Sequence, residues 1–274
     1  MPEGPEIRRA ADRIAKVLVN QPIAAAEFIV PSLQPFEKRI NGSVVNRIDT
    51  RGKAMLTRFD NGLTLYSHNQ LYGRWFVTKR GRLPRTNRSL RVALHTAAHS
   101  ALLYSATEVD VLTESQLQHH PFLRRIGPDI LDTELTADLI SARLDEARFR
   151  RRSVGGLYLD QSFLAGLGNY LRTEILYRAR VNPRSRPVDL DKAAHRRLAR
   201  ETLAISKRSY RTGGVTLSRE RARILKSSGA SFENYRFWAF GRRGLPCYVC
   251  GDRITRLNIA GRRLYLCPGC QPPA

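Results

Sequence analysis

At 274 residues the chain is long enough for one large domain or two ordinary ones, and its 42% hydrophobic content can build real cores. No apolar run approaches bilayer length and no positive–apolar–small-residue signal opens the chain, so a cytoplasmic protein with no membrane partner is expected. A net charge of +23 is too extreme for a generic enzyme surface and implies a polyanionic partner, nucleic acid before membrane. The charge is uneven. Residues 1–120 hold 17 Lys+Arg against 10 Asp+Glu, net +7, and residues 121–274 hold 30 against 14, net +16.

The chain opens Met1-Pro2-Glu3-Gly4-Pro5-Glu6 and runs at once into a helical pattern. Ile7, Ala10, Ala11, Ile14, Val17 and Leu18 recur on one face, and Pro5 suits the first helical position, where its missing N–H is no loss. Removal of Met1 would leave Pro2 with a free secondary amine. An α-amino group titrates at about 7.7–8.0, so a free-base nucleophile of the kind Schiff-base chemistry needs is available near neutrality. Glu3 and Glu6 stand within reach as candidate proton carriers. Taken alone, the same residues read equally well as a plain helix entry with dipole-complementing glutamates.

Residues 24–110 read as β-structure, with strand-like runs at Ala24–Val30, Val44–Ile48, Ala54–Phe59, Leu63–Tyr66, Trp75–Thr78, Leu90–Leu94 and Ala101–Ser105. Asp60-Asn61-Gly62 is a hairpin signal, and several short strands with tight turns argue for an antiparallel sandwich. Pro121, Gly127 and Pro128 suit a connector. Helical patterns follow, one from Thr133 with Leu135, Leu139, Ile140, Arg143 and Leu144, another over residues 189–207 with Ala193, Ala194, Leu198, Thr202 and Ile205 inward. The polar segment Arg211–Ser231 reads as a mobile loop.

Within Gln161–Leu176, Gly166 and Gly168 permit a tight turn between two helices and leave backbone N–H groups, with the Asn169 amide, at the start of the second. Such a helix start is a natural phosphate site, and Arg172, Arg178, Arg180, Arg184 and Arg186 follow closely. A helix hairpin packed for stability alone is the competing reading.

The four cysteines form two CxxC pairs, Cys247/Cys250 and Cys267/Cys270, separated by 16 residues, which is zinc-site spacing. Four thiolates close a tetrahedron, so one structural zinc is expected rather than a catalytic one. Between the pairs, Ala260-Gly261 reads as the turn of a zinc-stapled hairpin that carries arginines outward.

Together these stretches resemble the endonuclease VIII / formamidopyrimidine-DNA glycosylase family of base-excision repair enzymes. The likeness covers essentially the whole chain: Pro2-Glu3-Gly4-Pro5-Glu6, Arg51-Gly52-Lys53, the segment around Asn169 and the cysteine finger. Pro2-Glu3-Gly4-Pro5-Glu6-Ile7-Arg8-Arg9 and Tyr66-Ser67-His68-Asn69-Gln70-Leu71-Tyr72-Gly73 are similar to the endonuclease VIII branch, whereas the purine-repair branch usually has leucine at the position of Gly4. The resemblance implies an α+β fold. An N-terminal helix and antiparallel β-sandwich fill residues 1–120, a linker residues 121–132, a helix–two-turn–helix domain residues 133–232 and a zinc-finger β-hairpin residues 233–274.

The resemblance also implies roles. Pro2 would be the Schiff-base nucleophile and Glu3 a proton donor that assists sugar-ring opening, with Glu6 in support. Lys53 would take part in the lyase chemistry. Arg262 is the finger arginine assigned to the second elimination; because an arginine is a poor proton donor, phosphate clamping suits it better. Gln70, Leu71 and Tyr72 would fill the void left by a flipped nucleotide, and Arg125 and Asn169 would contact phosphates. The expected activity is a DNA glycosylase with β,δ-elimination AP lyase activity on oxidised pyrimidines of the thymine glycol type. Its partner would be double-stranded DNA with oxidised bases or abasic sites, met by a nucleoid-associated monomer. Oxidised-purine (formamidopyrimidine) specificity, a non-catalytic zinc-finger damage binder and a ribosome-associated RNA-binding zinc protein are the other readings. The last explains charge and cysteines but not the N-terminus.

Overall fold

A computed structural model describes residues 2–273, and the chain divides into two compact units, residues 1–125 and 126–274. The first begins with α1 (Gly4–Leu18), with Pro5 one position inside the helix start. The helix buries Ile7, Ala10, Ala11, Ile14 and Leu18 on the face its spacing predicts. Next come β1 (Ala25–Phe28), the short α2 (Glu37–Ile40), β2 (Val45–Arg51), β3 (Ala54–Phe59), β4 (Leu63–His68), β5 (Arg74–Lys79), β6 (Leu90–His95), β7 (His99–Tyr104) and β8 (Glu108–Thr113). Two short helices, α3 (Glu114–His119) and α4 (Pro121–Arg125), end the unit.

The strands make two four-stranded antiparallel sheets, ordered β1-β6-β7-β5 and β2-β3-β4-β8. Apolar side chains from both sheets, among them Val45, Met55, Leu65, Trp75, Val92, Leu94 and Leu103, join the inner face of α1 in one core. At roughly 1.5–3 kcal/mol for each fully buried large apolar side chain, this burial drives the sandwich together. Asp60-Asn61-Gly62 joins β3 to β4 with Gly62 at φ 80°, the left-handed geometry that a three-residue hairpin loop requires. The last strand, β8, is absent from the sequence reading. Its buried Val109 and Val111 alternate with Glu108 and Asp110 over too short a run to stand out, and pairing with β4 decides it.

The second unit holds α5 (Ala137–Asp145), α6 (Val154–Leu157), α7 (Asn169–Ala179), α8 (Lys192–Thr212), α9 (Arg219–Ser227) and a hairpin of β9 (Thr255–Ile259) and β10 (Arg262–Leu266). Helices α5, α7 and α8 meet in one core with Phe149, Tyr158, Phe163 and Leu264. Four readings of the sequence change here. Leu139 and Ala193 face outward, whereas Ala194, Leu198, Thr202 and Ile205 of α8 are buried as read and His195 joins them. Residues 211–231 are not a featureless loop: Ser218 caps α9 by accepting the Arg221 N–H at 3.3 Å. Only Ala222 and Leu225 of that helix pack, partly buried, against a core, so its apolar face is too narrow to stand out in the sequence. Finally, the helix before Gly166 is a single turn, α6, and the chain from there to Gly168 is a series of turns. Among the described residues no helix is long and apolar enough to cross a membrane.

Candidate nucleic-acid and catalytic site

At the start of α1, Glu3 is the extended N-cap residue, with φ −110° and ψ −178°. The Glu6 carboxylate accepts its N–H at 3.0 Å, closing a capping box that fixes the Glu3 backbone. Glu3 is only 2% exposed, so its carboxyl is held out of bulk water at the start of the helix. Pro2, half-buried, directly precedes it. Met1 lies outside the described residues.

Lys53 occupies the second position of the two-residue turn that joins β2 to β3. Gly52, at the first, has φ 62°, as a II′-type hairpin turn demands. Lys53 is 8% exposed, and the next residue, Ala54, pairs with His68 across the sheet. Burial holds the His68 imidazole below its ordinary range; Glu108 opposes this, and the positive charge of Lys53 adds to it. His68 and Glu108 carry no role in the sequence reading, yet both shape this corner. Glu108 accepts the Tyr66 hydroxyl at 2.8 Å and the Gln70 amide at 2.7 Å. Burial, with that hydrogen bond, pushes the Tyr66 hydroxyl up.

Between β4 and β5 the chain turns sharply at Gln70, with φ 49°. Leu71 and Tyr72 stand 51% and 65% exposed, large apolar surfaces offered to solvent rather than to the core. The Tyr72 carbonyl accepts from Arg88, and Asn69 is buried beneath the turn. Only glycine fits at position 73, where a Cβ would lie 2.6 Å from the Asn69 carbonyl oxygen. The loop is thus a braced projection. Arg125 closes the unit on the exposed end of α4, its Nε donating to the Pro121 carbonyl at 3.0 Å.

In the second unit, Gly168 caps α7 and Asn169 is its first residue. The Asn169 Oδ1 accepts from Arg172 at 2.7 Å, which leaves its NH2 as the side chain's donor end. Arg172 itself is fully buried, so it is not the surface phosphate contact that its place in the arginine run suggests. Its guanidinium donates to main-chain carbonyls of α6 and of the hairpin. Arg186 is likewise engaged, in a two-point contact with Asp189.

Two residues after Arg172, Glu174 is also fully buried. It accepts the N–H groups of Trp238, Ala239 and Phe240 at 2.8, 2.9 and 2.9 Å, and the Thr216 hydroxyl. Burial pushes its carboxyl up against the pull of those four donors.

The β9–β10 hairpin turns at Ala260-Gly261, with φ 52° and 70°, the I′-type turn that matches strand twist. Arg262 follows at once, exposed at the tip. The sulfurs of Cys247, Cys250, Cys267 and Cys270 all lie within 4.8 Å of one another. Zinc with bonds of about 2.3 Å needs sulfur separations of roughly 3.8 Å. The Cys247–Cys270 and Cys250–Cys267 pairs are at 3.8 and 3.2 Å, far from disulfide length. The set fits one structural zinc and leaves no open position on it.

Residues 1–109 match the formamidopyrimidine-DNA glycosylase N-terminal domain family, residues 126–221 the formamidopyrimidine-DNA glycosylase H2TH domain family, and residues 244–273 the zinc finger found in FPG and IleRS. Endonuclease 8 of Klebsiella pneumoniae subsp. pneumoniae is 48% identical over 99% of this chain and 100% of its own length, and Endonuclease 8 of Salmonella agona is equally similar. The chain belongs to the endonuclease VIII / formamidopyrimidine-DNA glycosylase family. The family fold is present throughout. A crystal structure of the wild-type Lactococcus lactis Fpg (MutM) with N7-benzyl-Fapy-dG DNA superposes with a TM-score of 0.82 over 99% of this chain and 100% of that one, at 22% identity. A complex of Lactococcus lactis Fpg with abasic-site DNA gives a TM-score of 0.81 at 23% identity over the same shares of the two chains.

Proposed function

We propose that this bifunctional DNA glycosylase and AP lyase of base excision repair removes oxidised pyrimidines of the thymine glycol type and cuts the strand by β,δ-elimination, with Pro2 as its nucleophile. The observation that carries the chemistry is local: Pro2 is followed by a buried, capping-box-fixed carboxylate at the start of α1. The lesion class is supported by the 48% identity to Endonuclease 8 and by the braced Gln70-Leu71-Tyr72 projection.

Inside a duplex the target sugar is out of reach, so the damaged nucleotide is flipped out at a cost of a few kcal/mol. An oxidised pyrimidine that has lost planarity stacks poorly and lowers that cost. Leu71 wedges into the stack, while Gln70 and Tyr72 meet the orphaned base. The Pro2 nitrogen forms a bond to C1′, the bond to the base breaks with protonation of the leaving base, and the sugar ring opens as Glu3 delivers a proton to its oxygen. The product is an iminium between Pro2 and C1′. It acidifies C2′–H; loss of that proton expels the 3′ phosphate, and a second elimination expels the 5′ phosphate. Lys53 supplies a fixed positive charge to this lyase step. Arg125, Asn169 and Arg262 hold the backbone phosphates. Zinc, when bound, supplies no bond change and keeps the hairpin that carries Arg262 folded. All these groups belong to one chain, which supports action as a monomer. The +23 charge supports residence on the nucleoid in the cytoplasm.

Borohydride trapping on duplexes with thymine glycol or an oxidised purine, using wild type, Pro2→Gly and Pro2→Thr, tests the assignment. A wild-type adduct on thymine glycol that both variants fail to form is expected. An adduct on the oxidised purine alone would move the chain to the sibling specificity, and binding without any adduct would remove Pro2 from the mechanism.

A further inference from the structure

We propose that Glu108 is a positioning residue that holds the Gln70 side chain by its amide nitrogen, so that the carbonyl end meets the base left unpaired by the flipped nucleotide and guanine is preferred there over adenine. The proposal rests on the assignment of Gln70 to that void. β8 begins at Glu108, which pairs directly with His68, the last residue of β4 before the loop. That register places the carboxylate at the foot of the Gln70-Leu71-Tyr72 projection. One carboxylate oxygen accepts the Tyr66 hydroxyl at 2.8 Å, and the other accepts the Gln70 amide at 2.7 Å. Tyr66 is fully buried, its ring centroid 4.3 Å from that of His120, so the first contact fixes where the second can form. The Gln70 N–H donates to His68 Nδ1 at 3.2 Å, so backbone and side chain are both held before DNA arrives.

The residue type decides the orientation. An ionised carboxylate only accepts, so the Gln70 amide meets it through its NH2 and must turn Oε1 the other way. A partner with both a donor and an acceptor would leave the two ends of the amide interchangeable. A carboxylate is also a poor choice beside a loop that enters a polyanion, because it repels phosphates. In a chain of net charge +23 it calls for a use of its own. On its pairing edge guanine offers N1–H and N2–H2 side by side, two donors for one carbonyl, whereas adenine offers one donor beside an acceptor.

Duplexes with a tetrahydrofuran abasic-site analogue opposite guanine or adenine read this preference without a lesion base to extract. Wild type should bind the guanine duplex about fivefold more tightly, the low end of what a well-formed base contact contributes. Glu108→Gln keeps an acceptor for the Tyr66 hydroxyl but offers Gln70 either end of an amide. It should bring the two affinities within twofold of each other, with a melting temperature near that of the wild type and a borohydride-trapped adduct on abasic-site DNA. Gln70→Ala should also erase the preference, and adding Glu108→Gln to it should change the ratio by less than twofold. Equal affinities in wild type, or a preference that survives in Glu108→Gln, would overturn the proposal. So would equal weakening on both duplexes in step with a lower melting temperature, which would make Glu108 a brace for Tyr66 only. Should Glu108→Gln fail to fold, Tyr66→Phe decides, since it frees the carboxylate without removing it: a preference within twofold supports the proposal, and an unchanged one overturns it. If Gln70→Ala itself keeps the guanine preference, the assignment of Gln70 to the void fails, and the proposal with it. If Gln70→Ala erases the preference while Glu108→Gln retains it, the assignment stands and the role of Glu108 alone is overturned.

Discussion

In the β-sandwich unit the core is apolar and the groups proposed for the chemistry stand at its edge, just before α1, on the β2–β3 turn and on the β4–β5 loop. In the helical unit the reverse holds on α7, where Arg172 and Glu174 are both fully buried. One collects the carbonyls of α6 and the hairpin, the other the N–H groups of residues 238–240. The difference follows from what each region can bury. Two four-stranded sheets and a helix supply enough apolar area to exclude water by themselves. The hairpin with its four cysteines is a few short turns around a small cluster of Cys247, Ile254, Cys267 and Trp238. A segment of that size needs a metal or polar staples to hold a single conformation. Loops braced on an apolar scaffold thus hold the groups proposed for bond making. In the helical unit, the proposed phosphate contacts Asn169 and Arg262 are tied to each other by the polar contacts of Arg172.

The largest expected effect that tests this contrast is zinc removal. Structural zinc contributes on the order of 10–16 kcal/mol of apparent binding energy in finger peptides, and here that energy is coupled to folding of the hairpin. After chelation, amide hydrogen exchange in β9 and β10 should become complete while β4 and β7 stay protected, and DNA binding should be lost. Equal loss of protection in both units would erase the distinction between them.

Next in size is Glu174→Gln. An amide keeps one acceptor oxygen but turns an NH2 toward backbone N–H groups that cannot move away. Breaking a buried charged network costs about 3–5 kcal/mol, so a two-step melt is expected in which only the helical unit softens. A single unshifted transition would show that the apolar core of that unit carries it alone.

The smallest effect concerns His68 at the rim of the sandwich. Burial, and behind it the charge of Lys53, favours the neutral ring in the folded state, against the opposing pull of Glu108. The unfolded chain binds this proton at about pH 6.5. The folded state therefore holds fewer protons just below that value, and the contribution is complete above pH 6.5 and lost as pH falls through it. Melting curves of His68→Gln should show a shallower fall in stability below pH 6.5 than the wild type. Parallel curves would mean that Glu108 balances the burial.

Much of this was already legible along the chain. Periodicity identified α1 and most strands, the CxxC pairs identified the metal set, and Ala260-Gly261 identified the hairpin turn, because each rests on neighbours a few residues apart. The N-terminal Pro2-Glu3 pair, Lys53, Asn169 and Arg262 stood out through their likeness to a known family. Other features were not legible. β8 is a strand because β4 offers it a partner, and the apolar face of α9 is only Ala222 and Leu225 wide, too little to reveal it. Nothing in an arginine-rich run separates Arg172, sealed among carbonyls, from Arg178 or Arg184 at the surface. Sequence alone determined which chemical groups the protein owns and the local turns that display them. Tertiary structure decided which charges leave water, since burial and hydrogen-bond satisfaction are set by segments distant in the chain, as Glu174 and residues 238–240 illustrate.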